Sequence, residues 1–442
     1  MLYPANSSDM VVESLSSGLS NPLTPTGKLP PQAWMTAPQT VRVMKALAAG
    51  GHPPRFVGGC VRDAVLARAI TDIDIATPEK PERVIELLEN DGIRVIPTGL
   101  KHGTVTAIVD AQSFEITTLR IDVETDGRHA DVRFTDDWQA DAKRRDFTIN
   151  ALSATLDGDI YDPFFGLDDL AAGRVRFVGN AYERIEEDYL RILRFFRFQA
   201  TFGRPPPNGS AIDACRQCAP KLANLSAERV RAELFRILLA PNPADTFTKM
   251  RGVGAVDVLL PEVSDSARLR VMAWMDSQAL RVQSVQPDAV RRLAALLEDD
   301  GDAARAVAGR LRLSNQESRR LVGMLDPVFS VTPDQSMHER DVVLYKHGSE
   351  AVRDVALLAW ATERVVLGAS SSERSQAWIE ILTLSEEWLH PIFPLSGDDV
   401  KALGVAQGPA LGVLLAATES WWVDGGFKSR RDACLANLKK RI

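Results

Sequence analysis

The chain has 442 residues, 45% of them hydrophobic and 25% charged, with a formal net charge of −7. That length and apolar fraction suffice for two to four domains with substantial cores, and no apolar run approaches the roughly 18 residues of a membrane span. The acidic balance excludes a global attraction for nucleic acid, so any RNA contact needs a local basic surface.

The four cysteines, Cys60, Cys215, Cys218 and Cys434, do not form a secreted disulfide framework, and the C-x-x-C at 215–218 has no second ligand pair for zinc. The N-terminus carries no basic patch followed by an apolar stretch, so a cytoplasmic location is expected. Residues 1–34 are rich in Ser, Pro, Asn and Gly with little periodicity and are expected to be a flexible extension.

From about Thr36 a short helix leads into a mixed region of strands and helices that runs to about residue 170. Phe56-Val57 reads as a strand ending at Gly58-Gly59, where the missing Cβ atoms let backbone N–H groups approach phosphate oxygens closely. A helix from about Val61 to Arg68 follows, and then a strand carrying Asp72-Ile73-Asp74. On a strand, residues i and i+2 face the same side, so Asp72 and Asp74 present two carboxylates together while Ile73 and Ile75 turn into the core. A D-x-D at a strand end can be a solvated turn. Preceded by the strand, Gly-Gly turn and helix, it reads instead as a site for Mg²⁺, which binds through one or two carboxylates plus a substrate's phosphates. The expected substrate is a nucleoside triphosphate.

Further along, 103–109 and 113–121 are rich in β-branched residues and read as strands. Glu115 in the second is a candidate third carboxylate if that strand lies beside the D-x-D strand; an isolated strand Glu is otherwise ordinarily solvent-facing. In DAKRRDFTINAL at 141–152, Arg144 and Arg145 can hold triphosphate oxygens, and Asp146 can accept from a ribose hydroxyl or orient an arginine. The string also fits a charged helix start with an ordinary intrahelical pair.

Beyond about 180 strand signals nearly vanish. RIEEDYLRILRFFRF at 184–198 reads as a helix in which Asp188, Arg191 and Arg194 form one polar stripe, with Leu190, Leu193 and Phe196 packing away from it. Salt bridging alone explains such a stripe. Asp188 with Arg191 also matches the donor and acceptor edge of cytosine or adenine, whereas uracil and guanine present the opposite order. Ser226 is a plausible N-cap for LSAERVRAELFRILLA, and Pro/Gly clusters near 204–209, 241–243, 252–254, 327–334 and 391–397 divide the remainder into helical blocks. The segment 428–442 is a basic candidate RNA surface or a solvated helix end. The expected fold class is α+β: a small mixed α/β head on a long helical body.

The ordered set GGCVRD, DID, RRDFTINAL, DPFFGLDDLAAGRVRFVG, EEDYLRILRFFRF and LSAERVRAEL, over roughly residues 55–240, resembles the bacterial tRNA nucleotidyltransferase and poly(A) polymerase family of the DNA polymerase beta superfamily. The resemblance implies a head at 35–170, a base-recognising neck at 171–250, a body at 251–350 and a tRNA-binding tail at 351–442. It implies CTP and ATP as substrates, tRNA as partner, Mg²⁺ in a two-ion site, and template-independent addition of CCA. By position it makes Asp72 and Asp74 metal ligands. Gly58, Gly59, Arg62 and Asp63 become the triphosphate and sugar motif, Arg145 and Asp146 the second motif, Asp188 and Arg191 the base-reading pair, and Arg194 a triphosphate contact. The segment 122–134 falls where relatives carry an element that switches between CTP and ATP. Poly(A) polymerases and CC-only or A-only enzymes share the head. A tail-like segment at 394–427, and the absence of a long basic extension, favour CCA addition. No His-Asp dyad of a fused phosphohydrolase is expected. A non-catalytic RNA-binding relative would have no need of clustered acids that repel phosphate.

Overall fold

The computed structural model describes residues 24–125, 130–368 and 371–442. It contains two compact units, one comprising residues up to Leu225 together with Val253–Ala255, the other Ser226–Gly252 and Val256–Ile442.

Among the described residues, the first unit holds every strand. They are β1 (Gly27–Lys28), β2 (Arg55–Val57), β3 (Ile73–Thr77), β4 (Arg94–Gly99), β5 (Thr104–Val109), β6 (Gln112–Thr118), β7 (Arg120–Thr125), β8 (Ala130–Phe134), β9 (Ser153–Ala154) and β10 (Asp159–Tyr161). Eight form one mixed sheet in the order β1-β10-β9-β2-β3-β6-β5-β4, while β7 and β8 pair separately. Period-2 alternation sets the two faces. Phe56, Ile73, Ile75, Val105, Ala107, Phe114 and Ile116 are buried on one. The helix Pro81–Asn90 packs on β4 and β5, and its Val84, Leu87 and Leu88, spaced three and four apart, are buried.

Three sequence expectations change here. Residues 24–34 are not an extension: β1 pairs with β10, and Leu29 and Met35 are buried. The run 113–121 is two strands, because Leu119 is fully buried and its N–H turns to the carbonyl of Thr77, so that Arg120 begins a new pairing. The segment 122–134 falls largely on β7 and β8, which pair antiparallel; residues 126–129 lie outside the described residues, as do 1–23.

The second unit is helical, with Ser226 at the N-cap position of helix Ala227–Leu238. Helices Asn315–Leu325 and Met337–His347 begin with capping boxes, Ser314 with Glu317 and Ser336 with Glu339. Buried ion pairs join its helices: Arg292 chelates Asp276, and Asp354 accepts from both Arg291 and Arg320. Leu395, Val400, Trp422, Val423, Cys434 and Leu438 make a separate small core near the end of the chain.

The expected boundaries at 250 and 350 fall inside helices Pro243–Gly252 and Ser349–Leu367, and residues 171–225 belong to the same unit as the sheet. A continuous hydrogen-bonded helix is a poor place for a domain break, and composition alone does not register that.

Candidate active site

The site lies on the open face of the sheet. β3 and β6 run parallel with Asp74 opposite Glu115, so the two carboxylates project from one face side by side. Ile73 and Ile75 point the other way and are buried, as the alternation requires. Asp72 lies just before the first residue of β3; it is exposed, and the Thr71 hydroxyl donates to it at 3.3 Å. The Asp74 carboxyl is pushed above its ordinary pKa, chiefly by burial and then by the charge of Glu115, with Asp72 adding to the repulsion and Arg145 opposing it.

Crowded carboxylates of this kind fit a divalent cation, whose charge relieves that repulsion. Among the described residues no three His, Cys, Asp or Glu side chains already converge closely enough to hold an ion. Shared orientation without a closed cage suits Mg²⁺, which completes its shell with water and substrate phosphates.

β2 ends at Gly58, whose φ of 71° and ψ of −121° lie in a region that side chains disfavour. A Cβ there would meet Nη1 of Arg145 at 2.9 Å. Gly58→Ala should therefore cost about 1–3 kcal/mol of stability and displace the Arg145 tip. The check is an unfolding midpoint beside the KM for nucleotide, and an unchanged pair of values would remove the steric assignment. The Gly58 N–H is already used, donating to the carbonyl of Leu152 at 3.0 Å. Gly59 is the first residue of helix Gly59–Val65.

Arg62 on that helix is fixed by three hydrogen bonds to two partners. It chelates Asp63 at 3.0 and 2.7 Å and donates to Oδ1 of Asn150 at 2.6 Å. Asn150 in turn donates to Asp146 at 2.9 Å, and Asp146 accepts from Nε of Arg194 at 2.7 Å. Residues expected independently at 62–63, 145–146 and 194 are thus one hydrogen-bonded chain, with Asn150 as the link. Burial works against the Asp146 charge, yet Arg194, the Asn150 amide and the Phe147 N–H together hold its carboxyl below the ordinary range. Phe147, Phe177, Phe195 and Phe198 cluster behind it.

Arg145 reaches toward Gly58 and interacts with Asp141, which also holds Arg144 at 2.9 Å. Arg184 locks the same segment by donating to the carbonyls of Arg144 and Arg145.

The expected continuous helix at 184–198 is broken. Asp188 is in extended conformation, ending helix Ala181–Glu187, and its carboxylate accepts the Leu190 N–H at 3.1 Å as helix Leu190–Phe202 begins. Arg191 donates to the carbonyl of Arg184 at 2.6 Å and pairs with Glu187, rather than aligning on one helix with Asp188. Leu190, Leu193 and Phe196 are buried, as expected.

The residues missed from sequence were Asn150, Asp141, Arg184 and Glu187. The spacing of Asn150 from Asp146, and of Glu187 from Arg191, at i, i+4 was the available signal.

Paired acids on an open sheet face, a Gly-Gly turn and an arginine cluster on a helical extension define a nucleotidyltransferase. Residues 54–176 match the family described as the poly A polymerase head domain, and 210–266 match the probable RNA and SrmB-binding site of polymerase A. The chain is 34% identical over 402 residues to the mitochondrial CCA tRNA nucleotidyltransferase 1 of Homo sapiens, covering 88% of this chain and 87% of that protein. It is 32% identical over 413 residues to the CCA-adding enzyme of Streptococcus gordonii, covering 91% and 97%. The crystal structure of the Bacillus stearothermophilus CCA-adding enzyme in complex with CTP aligns with a TM-score of 0.73 at 27% identity, over 91% of this chain and 97% of that one. The chain belongs to the CCA-adding tRNA nucleotidyltransferase family and is an enzyme of that type. Among the described residues no helix is long and apolar enough to cross a membrane.

Proposed function

We propose that this chain adds the 3′-terminal CCA to tRNA, without a nucleic-acid template, from CTP and ATP with release of pyrophosphate. The observation that carries the reading is the register that sets Glu115 beside Asp74, with Asp72 at the head of the same strand. Mg²⁺ held by Asp72 and Asp74, with Glu115 alongside, would supply the Lewis-acid charge that phosphoryl transfer draws on. Arg62, Arg145 and Arg194 offset the negative charge of the triphosphate and of the departing pyrophosphate. Asp63, Asn150 and Asp146 hold Arg62 and Arg194 in place, so little reorganisation is needed as charge develops. The exposed basic side chains Lys428, Arg430, Lys439, Lys440 and Arg441 supply a local positive surface for RNA despite the acidic total. Four free, buried cysteines accord with a reducing compartment, and we assign the protein to the cytoplasm.

Asp188 and Arg191 read the base edge, exchanging the Leu190 N–H and Glu187 for the amino donor and ring acceptor of cytosine or adenine. A polar site rejects the opposite edge strongly because its own groups would be left unpaired. Asp188→Ala and Arg191→Ala should each reduce the preference for CTP and ATP over UTP and GTP by about 100-fold or more. Ratios of kcat/KM for the four nucleotides measure this, and unchanged ratios would remove the pair from base selection.

The activity is tested with three tRNA transcripts, ending at the discriminator base, after one C and after two, each given CTP and ATP singly and together. CCA addition gives C, C and one A, then a stop. A ladder from ATP alone would identify a poly(A) polymerase, and arrest after two C or no C incorporation would identify the CC-only or A-only variants.

A further inference from the structure

On the open face of the sheet, one register step from the acids, lies an arginine that has no counter-ion among the described residues. Arg55 in β2 is opposite Ala76 in β3, two residues beyond Asp74, and a strand advances about 7 Å over two residues on one face. Its guanidinium is sandwiched between aromatic rings, 3.5 Å from the centroid of Tyr161 and 4.3 Å from that of Trp138. Such stacking fixes the plane of the fork and leaves its N–H edge for a ligand.

Among the described residues the Arg55 side chain makes no ion pair or hydrogen bond. Burial lowers its pKa, and no carboxylate is near enough to offset that; only the Tyr161 hydroxyl acts the other way. A half-buried cation is costly to hold without an anion, and no described residue supplies one. The guanidinium opens on a small cleft that Arg145 and Ser153 also line. Asp141 lines it too, but its oxygens are taken by Arg144, Arg145 and the Arg120 N–H.

We propose that the cleft between Trp138 and Tyr161 is an anion subsite in which Arg55 grips a phosphate group of the bound substrates. Its nature as a substrate subsite rests on the proposed function, while its affinity for phosphate does not. The same chemistry comes from two sources, the triphosphate of the incoming nucleotide or a phosphodiester of the acceptor strand. The planar fork matches either one bidentately.

Arg55→Met keeps the apolar stem between the rings and removes the charge; Arg55→Lys keeps charge but not the fork. Binding of a tRNA transcript lacking CCA is measured over a series of salt concentrations, and binding of CTP with Mg²⁺ by calorimetry. If the phosphate is the acceptor's, Arg55→Met weakens transcript binding about 10-fold and lowers the slope of log K against log salt by about 0.7–0.9, with CTP affinity unchanged. If it is the triphosphate's, CTP affinity falls about 10-fold and the transcript slope is unchanged. In either case Arg55→Lys loses part of the effect. Wild-type affinity for both ligands in Arg55→Met overturns the proposal. If Arg55→Met does not fold, wild-type affinities in Arg55→Lys overturn it in the same way, since a single ammonium cannot reproduce the bidentate contact. A wild-type protein that binds both ligands but incorporates no C or A overturns the proposed activity and leaves the subsite standing.

Discussion

Asp74→Asn should lose nucleotide addition by about 10³-fold or more, yet unfold at or above the wild-type temperature. The two outcomes have one cause. Asp74 sits where burial and the charges of Glu115 and Asp72 raise its pKa, so the folded state binds its proton more tightly than the unfolded state does. A carboxyl with a raised folded pKa makes stability fall as pH rises from the ordinary carboxylate range through the raised value. At neutral pH the ionised side chain is therefore a cost, which asparagine removes without changing shape. On the proposed mechanism function needs that charge, so the substitution removes a proposed cation ligand and a strain together. Asp72→Ala should lose addition to a similar degree and leave tRNA affinity largely intact. A ligand present at 100 times its Kd stabilises by about 2.7 kcal/mol, so Mg²⁺ with CTP should raise the melting temperature of the wild type well above that of Asp74→Asn. Near wild-type turnover in either variant, or an equal Mg²⁺-dependent shift in both proteins, would rule out the metal assignment.

Asp146→Asn is expected to be the most destabilising of the substitutions considered, at about 3–5 kcal/mol, with loss of activity besides. The carboxylate is buried and takes Arg194, Asn150 and the Phe147 N–H as partners. An amide of the same size can still accept a hydrogen bond from the guanidinium but carries no charge to pair with it in this buried setting. The link through Asn150 is weakened as well, while Arg62 keeps its two bonds to Asp63, so Arg194 is the proposed triphosphate contact that this change releases. The pH dependence separates this from a simple packing defect. Asp146 has a depressed folded pKa, so its contribution is present above the ordinary carboxylate pKa and is lost as pH falls through that range toward the depressed value. Urea midpoints of wild type and variant should therefore differ most near neutral pH and converge on acidification. A gap that stays constant from pH 7 to pH 3 would show that the ion pair is not the source.

Local chemistry made much of this legible. The alternation of acids with Ile73 and Ile75 required a two-faced strand, the glycine pair required a turn that no side chain permits, and Pro/Gly clusters marked where helices stop. These follow from backbone geometry within a few residues, which the sequence carries directly. The polar stripe at 188–194 was right in its buried face and wrong in its continuity. Asp188 is as good a cap as a helix-surface residue, and spacing does not distinguish the two.

What the amino-acid order determined by itself was which side chains could do the chemistry: two acids a pleat apart, arginines near them, and a carboxylate and guanidinium able to read a base. The tertiary structure alone decided who stands beside whom. Glu115 is about forty residues from Asp74 and meets it only because β6 pairs parallel with β3 in one particular register. Asn150 becomes a link only when Arg62 and Asp146 are folded onto it, and Arg55 shows its missing counter-ion only once Trp138 and Tyr161 enclose it. Pairings between distant segments are fixed by how whole faces pack, and a one-residue slip would turn every side chain away, so no local pattern encodes them.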